Sequence, residues 1–497
     1  MKLSRVLKDA GVPHQLTGPQ DVELLDLVCD SREVKAQGAF VAIRGFHVDG
    51  HDYIQPALAQ GAAAIFAETL PPDNLAPEVA WIRVASTDDS LGHLAAAFHG
   101  NPSESVEVLA VTGTNGKTTV SWLVEAILKH AGHRSGLIGT IETHIGEQVE
   151  DAVFTTPFGD EMQRLLARMR DAECSHAIIE ASSHGLKQDR IAGVRIAAAG
   201  FTNLSRDHLD FHLTMEDYQN SKGRLFSHYA LAAAINIDDP VGTSFAEHFD
   251  GPLLKLSMEG KAAADLRITA LESDLMGSRA QLESPEGSIS LNLALVGRHN
   301  VENALVAMGM CKLVGIPLKV SAKALSSGAQ VPGRLERVDG PRAVLVDYAH
   351  TPDALMNVLQ GLRPMVSGRL ICVFGAGGKR DAGKRPQMGA VVERYADIAV
   401  VTSDNPRSES PEAIVQAIVE GMNRKGEHIV EVDRRKAIQK AIALSSPKDL
   451  ILIAGKGHET YQVIGTTKYD FDDRLVAQEA FKTLTAEPHA HLEGGAA

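Results

Sequence analysis

Cysteine is scarce in this chain. Its four cysteines, Cys29, Cys174, Cys311 and Cys372, lie far apart and form no CxxC pair, which argues against a disulfide-built scaffold or a zinc knuckle. No apolar run approaches the roughly 20 residues needed to cross a bilayer. The start, Met1-Lys2-Leu3-Ser4-Arg5, lacks the continuous apolar core of a secretory signal. Basic residues are outnumbered, 49 Lys+Arg against 63 Asp+Glu for a formal charge of −14. That balance disfavours bulk binding to nucleic acid while leaving room for a local basic pocket. With 44% hydrophobic and 23% charged residues the chain is not compositionally disordered. A cytoplasmic, multidomain enzyme or binding protein with no nucleic-acid and no membrane partner is the expectation. The length of 497 residues suggests about three domains.

Short β-branched runs alternate with amphipathic helical patterns over most of the chain, the signature of parallel α/β domains. Residues 1–99 form a first block, and His99-Gly100-Asn101-Pro102-Ser103 reads as a linker. A second block opens at the strand-like Val106–Val111 and runs to Pro332-Gly333. The third, residues 334–497, carries four apolar runs, at 343–346, 370–374, 398–401 and 450–453. Such runs suit strands buried on both faces of a parallel sheet. Ser410-Pro411 reads as an N-cap followed by proline at the first helical position. No internal repeat is visible, and the tail from Thr485 to Ala497 is expected to fray.

The strongest local signal is Thr112-Gly113-Thr114-Asn115-Gly116-Lys117-Thr118-Thr119. It follows a strand and precedes a helix whose apolar residues, Val120, Leu123, Val124, Ile127 and Leu128, recur at helical spacing. Gly132 is placed to end that helix. Glycines let the backbone approach phosphate oxygens, and a helix N-terminus aims N–H groups at them. Lys117 would then neutralise β/γ-phosphate charge and the Thr118 hydroxyl would ligate Mg²⁺. One departure stands out: the usual phosphate-loop pattern has glycine where this chain has Val111.

Downstream, Ala177-Ile178-Ile179-Glu180 reads as a buried strand ending in the polar run Ser182-Ser183-His184. Ligands bind at the carboxyl ends of strands in open α/β sheets, so Glu180 can hold Mg²⁺ near the phosphate loop. His208, Asp210 and His212 would share one face if their segment were extended, as a metal site or as a solvated polar loop. Composition alone reads Lys222 as a surface lysine, and Gly297–Ala304 as a polar helix start.

Taken together, these segments resemble the Mur ligase family of ATP-dependent peptide synthetases, in which the phosphate loop takes the shortened form seen at Thr112–Thr119. The resemblance continues through Glu180–Gly185, Asn203–Asp210, Lys222, Gly297–Asn303, Pro332-Gly333-Arg334 and Asp347–Pro352. It implies a three-domain Mur ligase architecture with a central P-loop ATPase parallel sheet and a C-terminal Rossmann-like domain. It divides the chain into a uridine-nucleotide domain (1–99), an ATPase domain (100–333) and an amino-acid domain (334–497). Asp30-Ser31-Arg32 and Gly45–Gly50 resemble family members that add the third peptide residue. Gly377–Asp381, Asp404-Asn405-Pro406-Arg407 and Gly455–Glu459 resemble an amino-acid site selecting meso-diaminopimelate. Arg407 can pair with that substrate's distal carboxylate but would repel the ammonium of lysine. Glu459 can accept from the distal ammonium, and Arg380 can add positive charge.

The resemblance further implies an ATP- and Mg²⁺-dependent ligase acting on UDP-N-acetylmuramoyl-L-alanyl-D-glutamate and meso-diaminopimelate, expected as a monomer. Gly113–Thr119, Asn300, Arg334 and Asp347 would bind ATP. Ser31, Phe46, His47, Val48, Thr155, Thr156, Ser182, Gln188 and Arg190 would bind the uridine substrate. Arg380, Asp404–Arg407, Gly455 and Glu459 would bind the amino acid. Lys117, Glu180, His208 and Lys222 would be catalytic. Thr118, Glu180, His208 and Lys222 as its carbamate would be metal ligands. Rival readings are an L-lysine-adding Mur ligase, a folylpolyglutamate-type synthetase, and a regulatory ATP-binding protein without ligase activity.

Overall fold

The computed structural model describes residues 1–45, 48–423 and 428–485. They form two compact units. The first comprises Met1–Thr269, Gln281–Ser290 and Glu302–Ser327, and the second Ala270–Ala280, Leu291–Val301 and Gly328 onward.

In the first unit the N-terminal block forms its own sheet of β1 (His14–Thr17), β2 (Asp26–Val28), β3 (Gly38–Val41), β4 (Ala64–Ala67) and β5 (Ala80–Val84), in the order β1-β5-β4-β3-β2. β3 and β4 are buried at every position, which fits a sheet covered on both faces. The central sheet is built from β6 (Glu107–Thr112), β7 (Ser135–Ile138), β8 (Glu142–Ile145), β9 (Gln148–Asp151), β10 (His176–Glu180), β11 (Ile196–Phe201), β12 (Ala233–Asn236) and β13 (Leu253–Ser257). Their order is β13-β12-β11-β6-β10-β7-β8-β9. The pairings from β13 to β7 are parallel, and β8 and β9 add an antiparallel edge. β6 lies between β10 and β11, so the loops leaving these three strands converge, the topological switch point where open α/β sheets bind ligands. The helix Lys117–His130 buries Val120, Leu123, Val124, Ile127 and Leu128 completely, each contributing about 1.5–3 kcal/mol. It ends at Ala131, with Gly132 at φ +85°.

β14 (Leu266–Asp274), β15 (Gly277–Ser284) and β16 (Gly287–Leu293) carry segments of both units. The second unit contains β17 (Glu336–Val338), β18 (Ala343–Asp347), β19 (Leu370–Phe374), β20 (Ile398–Val401), β21 (His428–Val430) and β22 (Leu450–Ala454), ordered β17-β18-β22-β19-β20-β21. All pairings are parallel except that of β17. A two-stranded ribbon, β23 (Tyr461–Ile464) with β24 (Thr467–Asp470), follows. The four apolar runs of the sequence are β18, β19, β20 and β22. Ser410 caps the helix Pro411–Val419 as expected. The last helix, Asp473–Thr485, reaches the residue where fraying was expected to begin; residues 486–497 lie outside the described residues, as do Phe46 and His47.

Candidate active site

The phosphate loop leaves the C-terminal end of β6. Val111, the departure from the usual pattern, is a fully buried strand residue paired with Glu180 on β10 and Gly200 on β11. The turn therefore begins only at Gly113, and no glycine is required at 111. Gly113 has φ +149°, and an added Cβ would lie 1.9 Å from Thr202 Oγ1. Gly116 has φ +91°, and its added Cβ would lie 2.2 Å from Asn303 Oδ1. Both positions accept glycine alone. The loop is braced by the β11 turn: Thr114 N donates to Asn203 O (2.8 Å), Asn115 N donates to Asn203 Oδ1 (3.1 Å), and Thr202 Oγ1 donates to Asn115 O (2.6 Å). Lys117 Nζ donates to the carbonyls of Gly113 and Thr114, at 3.0 Å each.

Glu180, the last residue of β10, is fully buried. Its carboxylate accepts from Thr118 Oγ1 (3.0 Å), Ser121 Oγ (3.3 Å), Thr140 N (3.1 Å) and Thr140 Oγ1 (2.8 Å). A carboxylate oxygen and a threonine hydroxyl thus stand together at the start of the phosphate-loop helix. Among the described residues no group of three or more His, Cys, Asp or Glu could hold a metal. Any cation here would rely on these hard oxygen donors together with ligand oxygens, the arrangement that suits Mg²⁺.

Lys222 is not a surface lysine. It lies near the end of the helix Met215–Arg224, is 1% exposed, and donates from Nζ to Gly113 O at 2.7 Å. Burial, and then Lys117, holds its amine well below the ordinary lysine value. His208, Asp210 and His212 do not share an extended face: His208 is left-handed (φ +53°) and caps the short helix Leu209–His212. A half-exposed His208 and a fully buried His212 diverge. His212 Nε2 pairs with Ser183 Oγ at 2.9 Å, while the His184 ring sits 4.9 Å from that of His208 and stacks on Phe211.

Beside β10, Thr156 Oγ1 donates to Glu180 O (2.7 Å) and accepts from Ser182 N (3.0 Å). Thr155 Oγ1 is 3.1 Å from Thr140 Oγ1. Arg190 donates to Thr156 O (2.8 Å) and lies 3.9 Å from the Phe158 ring centroid. Buried Gln188 Oε1 and Arg190 Nε have no hydrogen-bond partner among the described residues, so this edge retains unused polar capacity. In the loops of the N-terminal block, Ser31 is buried and Val48 is exposed.

The second unit gathers its polar residues at the C-terminal ends of β18, β19, β20 and β22. Asp347 accepts from Leu335 N and Ala349 N, both at 2.8 Å, and thereby fixes the turn bearing Arg334. The Arg334 guanidinium lies over the Tyr348 ring at 4.6 Å. Asn300 is buried and donates to Val296 O (2.8 Å). After β20, Asn405 Nδ2 donates to Glu459 Oε2 at 2.8 Å, joining the Asp404–Arg407 loop to the Gly455–Glu459 loop. Arg407 holds φ +52° and donates from Nη1 to Gly378 O (2.9 Å). Asp404, Asn405, Pro406 and Gly455 are buried, whereas Arg380 is exposed.

Several contributors carried no sequence signal. Thr140 binds Glu180 from the turn after β7, and Ser121 from inside the helix Lys117–His130. Tyr218 meets Thr114 Oγ1 at 3.1 Å. Lys456, within the Gly455–Glu459 segment, is fully buried and donates to Glu459 Oε2 (3.0 Å) and Asn405 Oδ1 (3.3 Å).

The chain is 39% identical to the UDP-N-acetylmuramoyl-L-alanyl-D-glutamate–2,6-diaminopimelate ligase of Geobacter metallireducens, over 98% of each chain. A solved structure of a ligase with that name superimposes with a TM-score of 0.71 at 31% identity, covering 98% of this chain and 100% of the other. A MurF ligase from Thermotoga maritima in complex with ADP shares the fold, with a TM-score of 0.62 at 20% identity over 92% of this chain and 97% of that one. The three-domain Mur ligase fold expected from the motifs is therefore present. Family models match in succession, the Mur ligase family catalytic domain at residues 26–99, the middle domain at 111–311 and the glutamate ligase domain at 333–457, and the chain belongs to the Mur ligase family.

Proposed function

We propose that this protein is an ATP-dependent amide ligase that adds meso-diaminopimelate to the D-glutamate γ-carboxylate of UDP-N-acetylmuramoyl-L-alanyl-D-glutamate, in cytoplasmic peptidoglycan precursor synthesis. The observation that carries the reading is the 2.8 Å bond between Asn405 and Glu459. It joins a loop bearing Arg407 to one bearing a carboxylate, and so offers both charges that a distal amino-carboxylate requires. Kinship over 98% of the chain with a ligase of that name supports it.

A substrate carboxylate oxygen attacks the γ-phosphorus of ATP, ADP departs, and an acyl phosphate forms. The diaminopimelate amine then attacks the acyl carbon, phosphate leaves with the carbonyl–oxygen bond broken, and the nitrogen loses a proton. The protein's share of this chemistry is positioning and charge neutralisation. The backbone of Gly113–Thr119 cradles the phosphates and Lys117 neutralises their charge. Thr118 and Glu180 would hold Mg²⁺, joined at a second position by His208 and by Lys222 as its carbamate. When bound, Mg²⁺ offsets the negative charge of the phosphates and polarises the acyl oxygen. Lys222 fits the carbamate role because burial, and then Lys117, lower its pKa and so ease loss of the proton, and the free amine is the form that attacks carbon dioxide.

Asn300, Arg334 and Asp347 are the further ATP residues in this reading. Ser31, Thr155, Thr156, Ser182, Gln188 and Arg190 serve the uridine substrate. Arg380, Asp404–Arg407, Gly455 and Glu459 serve the amino acid. Residues 1–99, 100–333 and 334–497 are the corresponding domains, and the protein acts as a monomer. Incubation with ATP, the uridine substrate and either meso-diaminopimelate or L-lysine, with mass-spectrometric detection of the amide product, tests it. Product formed with lysine alone would replace the substrate assignment. Nucleotide binding without any amide product would favour a regulatory protein.

A further inference from the structure

Among the described residues the largest fully buried side chain is Arg434, at the first position of the helix Arg434–Leu444. Its guanidinium meets Asp473, the first residue of the last helix, through Nε (2.8 Å to Oδ1) and Nη2 (2.7 Å to Oδ2). Neither side chain has any exposure. A sealed ion pair of this kind costs much of its Coulombic gain in desolvation, so net stability does not account for it.

The rest of the fork points elsewhere. Nη2 also donates to Ala454 O at 3.0 Å, and Nη1 donates to Ser403 O at 3.4 Å. Ala454 ends β22 and immediately precedes Gly455–Glu459; Ser403 immediately precedes Asp404–Arg407. β22 and β20 are not neighbours, because β19 lies between them. No ladder hydrogen bond therefore sets the spacing of these two loops at their roots. A planar guanidinium with donors in fixed directions can do so, whereas an ammonium cannot.

Beyond the roots, the loops are joined by Asn405 to Glu459 (2.8 Å) and by Lys456, which donates to both of these residues, while Gln462 Nε2 on β23 donates to Asp404 O (2.6 Å). We infer that Arg434, oriented by Asp473, is a positioning residue that sets the separation of the Asn405/Arg407 loop from the Glu459 loop and thereby the discrimination between meso-diaminopimelate and L-lysine. It touches no substrate. It acts by keeping a cation and a carboxylate at the spacing of one amino-carboxylate group. This inference rests on the amino-acid site proposed above.

Arg434→Lys tests it, because the charge facing Asp473 is kept while the fork is lost. The KM for meso-diaminopimelate should rise by about one to two orders of magnitude, the effect of misplacing a site by about 1 Å. The ratio of kcat/KM for meso-diaminopimelate over lysine should fall, with the KM values for ATP and the uridine substrate unmoved. Backbone hydrogen exchange should quicken in 403–407 and 454–459 together. A second variant, Arg434→Met with Asp473→Leu, removes the pair without stranding a charge and should give the same kinetic pattern. A folded Arg434→Lys protein with unchanged amino-acid KM, unchanged selectivity and unchanged exchange in both loops would overturn the inference. So would a uniform loss in every kinetic constant in both variants. If the wild type proves to use another amino acid, that result falls on the substrate assignment alone. The exchange experiment, and the KM for whichever amino acid is used, still decide the role of Arg434.

Discussion

Lys222 Nζ lies 2.7 Å from the carbonyl oxygen of Gly113, so a lysine from a downstream helix closes on the first glycine of the phosphate loop. Burial and the neighbouring Lys117 both disfavour its charged form. If the amine is carbamylated, Lys222→Ala removes a carboxylate-like group and should lower kcat by about two to three orders of magnitude. Added acetate or formate should restore part of that loss in a concentration-dependent way. Absence of rescue at any concentration, with the variant folded, would count against the carbamate.

Leu213 is 80% exposed and sits at φ +62°, ψ −40°, with Thr214 N donating to His212 O at 2.7 Å. That is a γ-turn of the rare, strained hand. A leucine gains nothing here from burial, and its Cβ costs about 1–2 kcal/mol. Leu213→Gly relieves the strain but loosens the unfolded chain by roughly 0.5–1 kcal/mol. A net gain of about 0.5–1 kcal/mol is expected. Urea denaturation followed by circular dichroism should show a later midpoint; an earlier one would mean that Leu213 makes a contact of value.

Fold class was legible because strands buried on both faces leave unbroken apolar runs, as at Leu370–Phe374 and Leu450–Ala454. The phosphate loop was legible because it is contiguous and its glycines are sterically forced. Residues that act from a distance were not. Thr140, two residues past the end of the neighbouring strand β7, reaches Glu180, and nothing in Gly139-Thr140 announces it. Lys222 looks like any helical lysine until tertiary packing buries it. His208, Asp210 and His212 misled because alternate spacing shares a face only in an extended chain, whereas a left-handed residue and a helical turn separate His208 from His212. Arg434 carried no signal, since a basic residue at a helix start reads as solvated.

Arg407 combines a left-handed backbone with a charge, and the two can be tested apart. Asn tolerates φ near +50° better than most residues, so Arg407→Asn keeps the turn and removes the guanidinium. A charge-assisted bond contributes about 1.5–3 kcal/mol, so kcat/KM for meso-diaminopimelate should fall by roughly one to two orders of magnitude. Use of L-lysine should hold or rise, because the guanidinium that repels its ammonium is gone. Equal losses on both amino acids would show that Arg407 does not read the distal carboxylate.

His144 on β8 stands between two carboxylates, with Nδ1 2.8 Å from Glu125 Oε1 and Nε2 3.0 Å from Glu142 Oε2. Burial alone would lower the His144 pKa, but the bonds to Glu125 and Glu142 outweigh it and raise the value above 6.5. Burial likewise opposes ionisation of Glu125, and His144 with Lys129 outweighs that, lowering its pKa below 4.5. The raised histidine contributes stability that is full below pH 6.5 and lost as pH rises through its folded pKa. The lowered glutamate contributes stability that is full above pH 4.5 and lost as pH falls through its folded pKa. Both contributions coexist between those two values, so this link from the phosphate-loop helix to the sheet edge should be strongest in mildly acidic solution. His144→Gln keeps hydrogen-bonding capacity without the charge. The variant should lose stability mainly at acidic to neutral pH, and its difference from wild type should shrink toward pH 9 in chemical denaturation series. A difference that stays constant across the range would show that His144 contributes by packing, through its edge contact with Trp122, rather than as a cation.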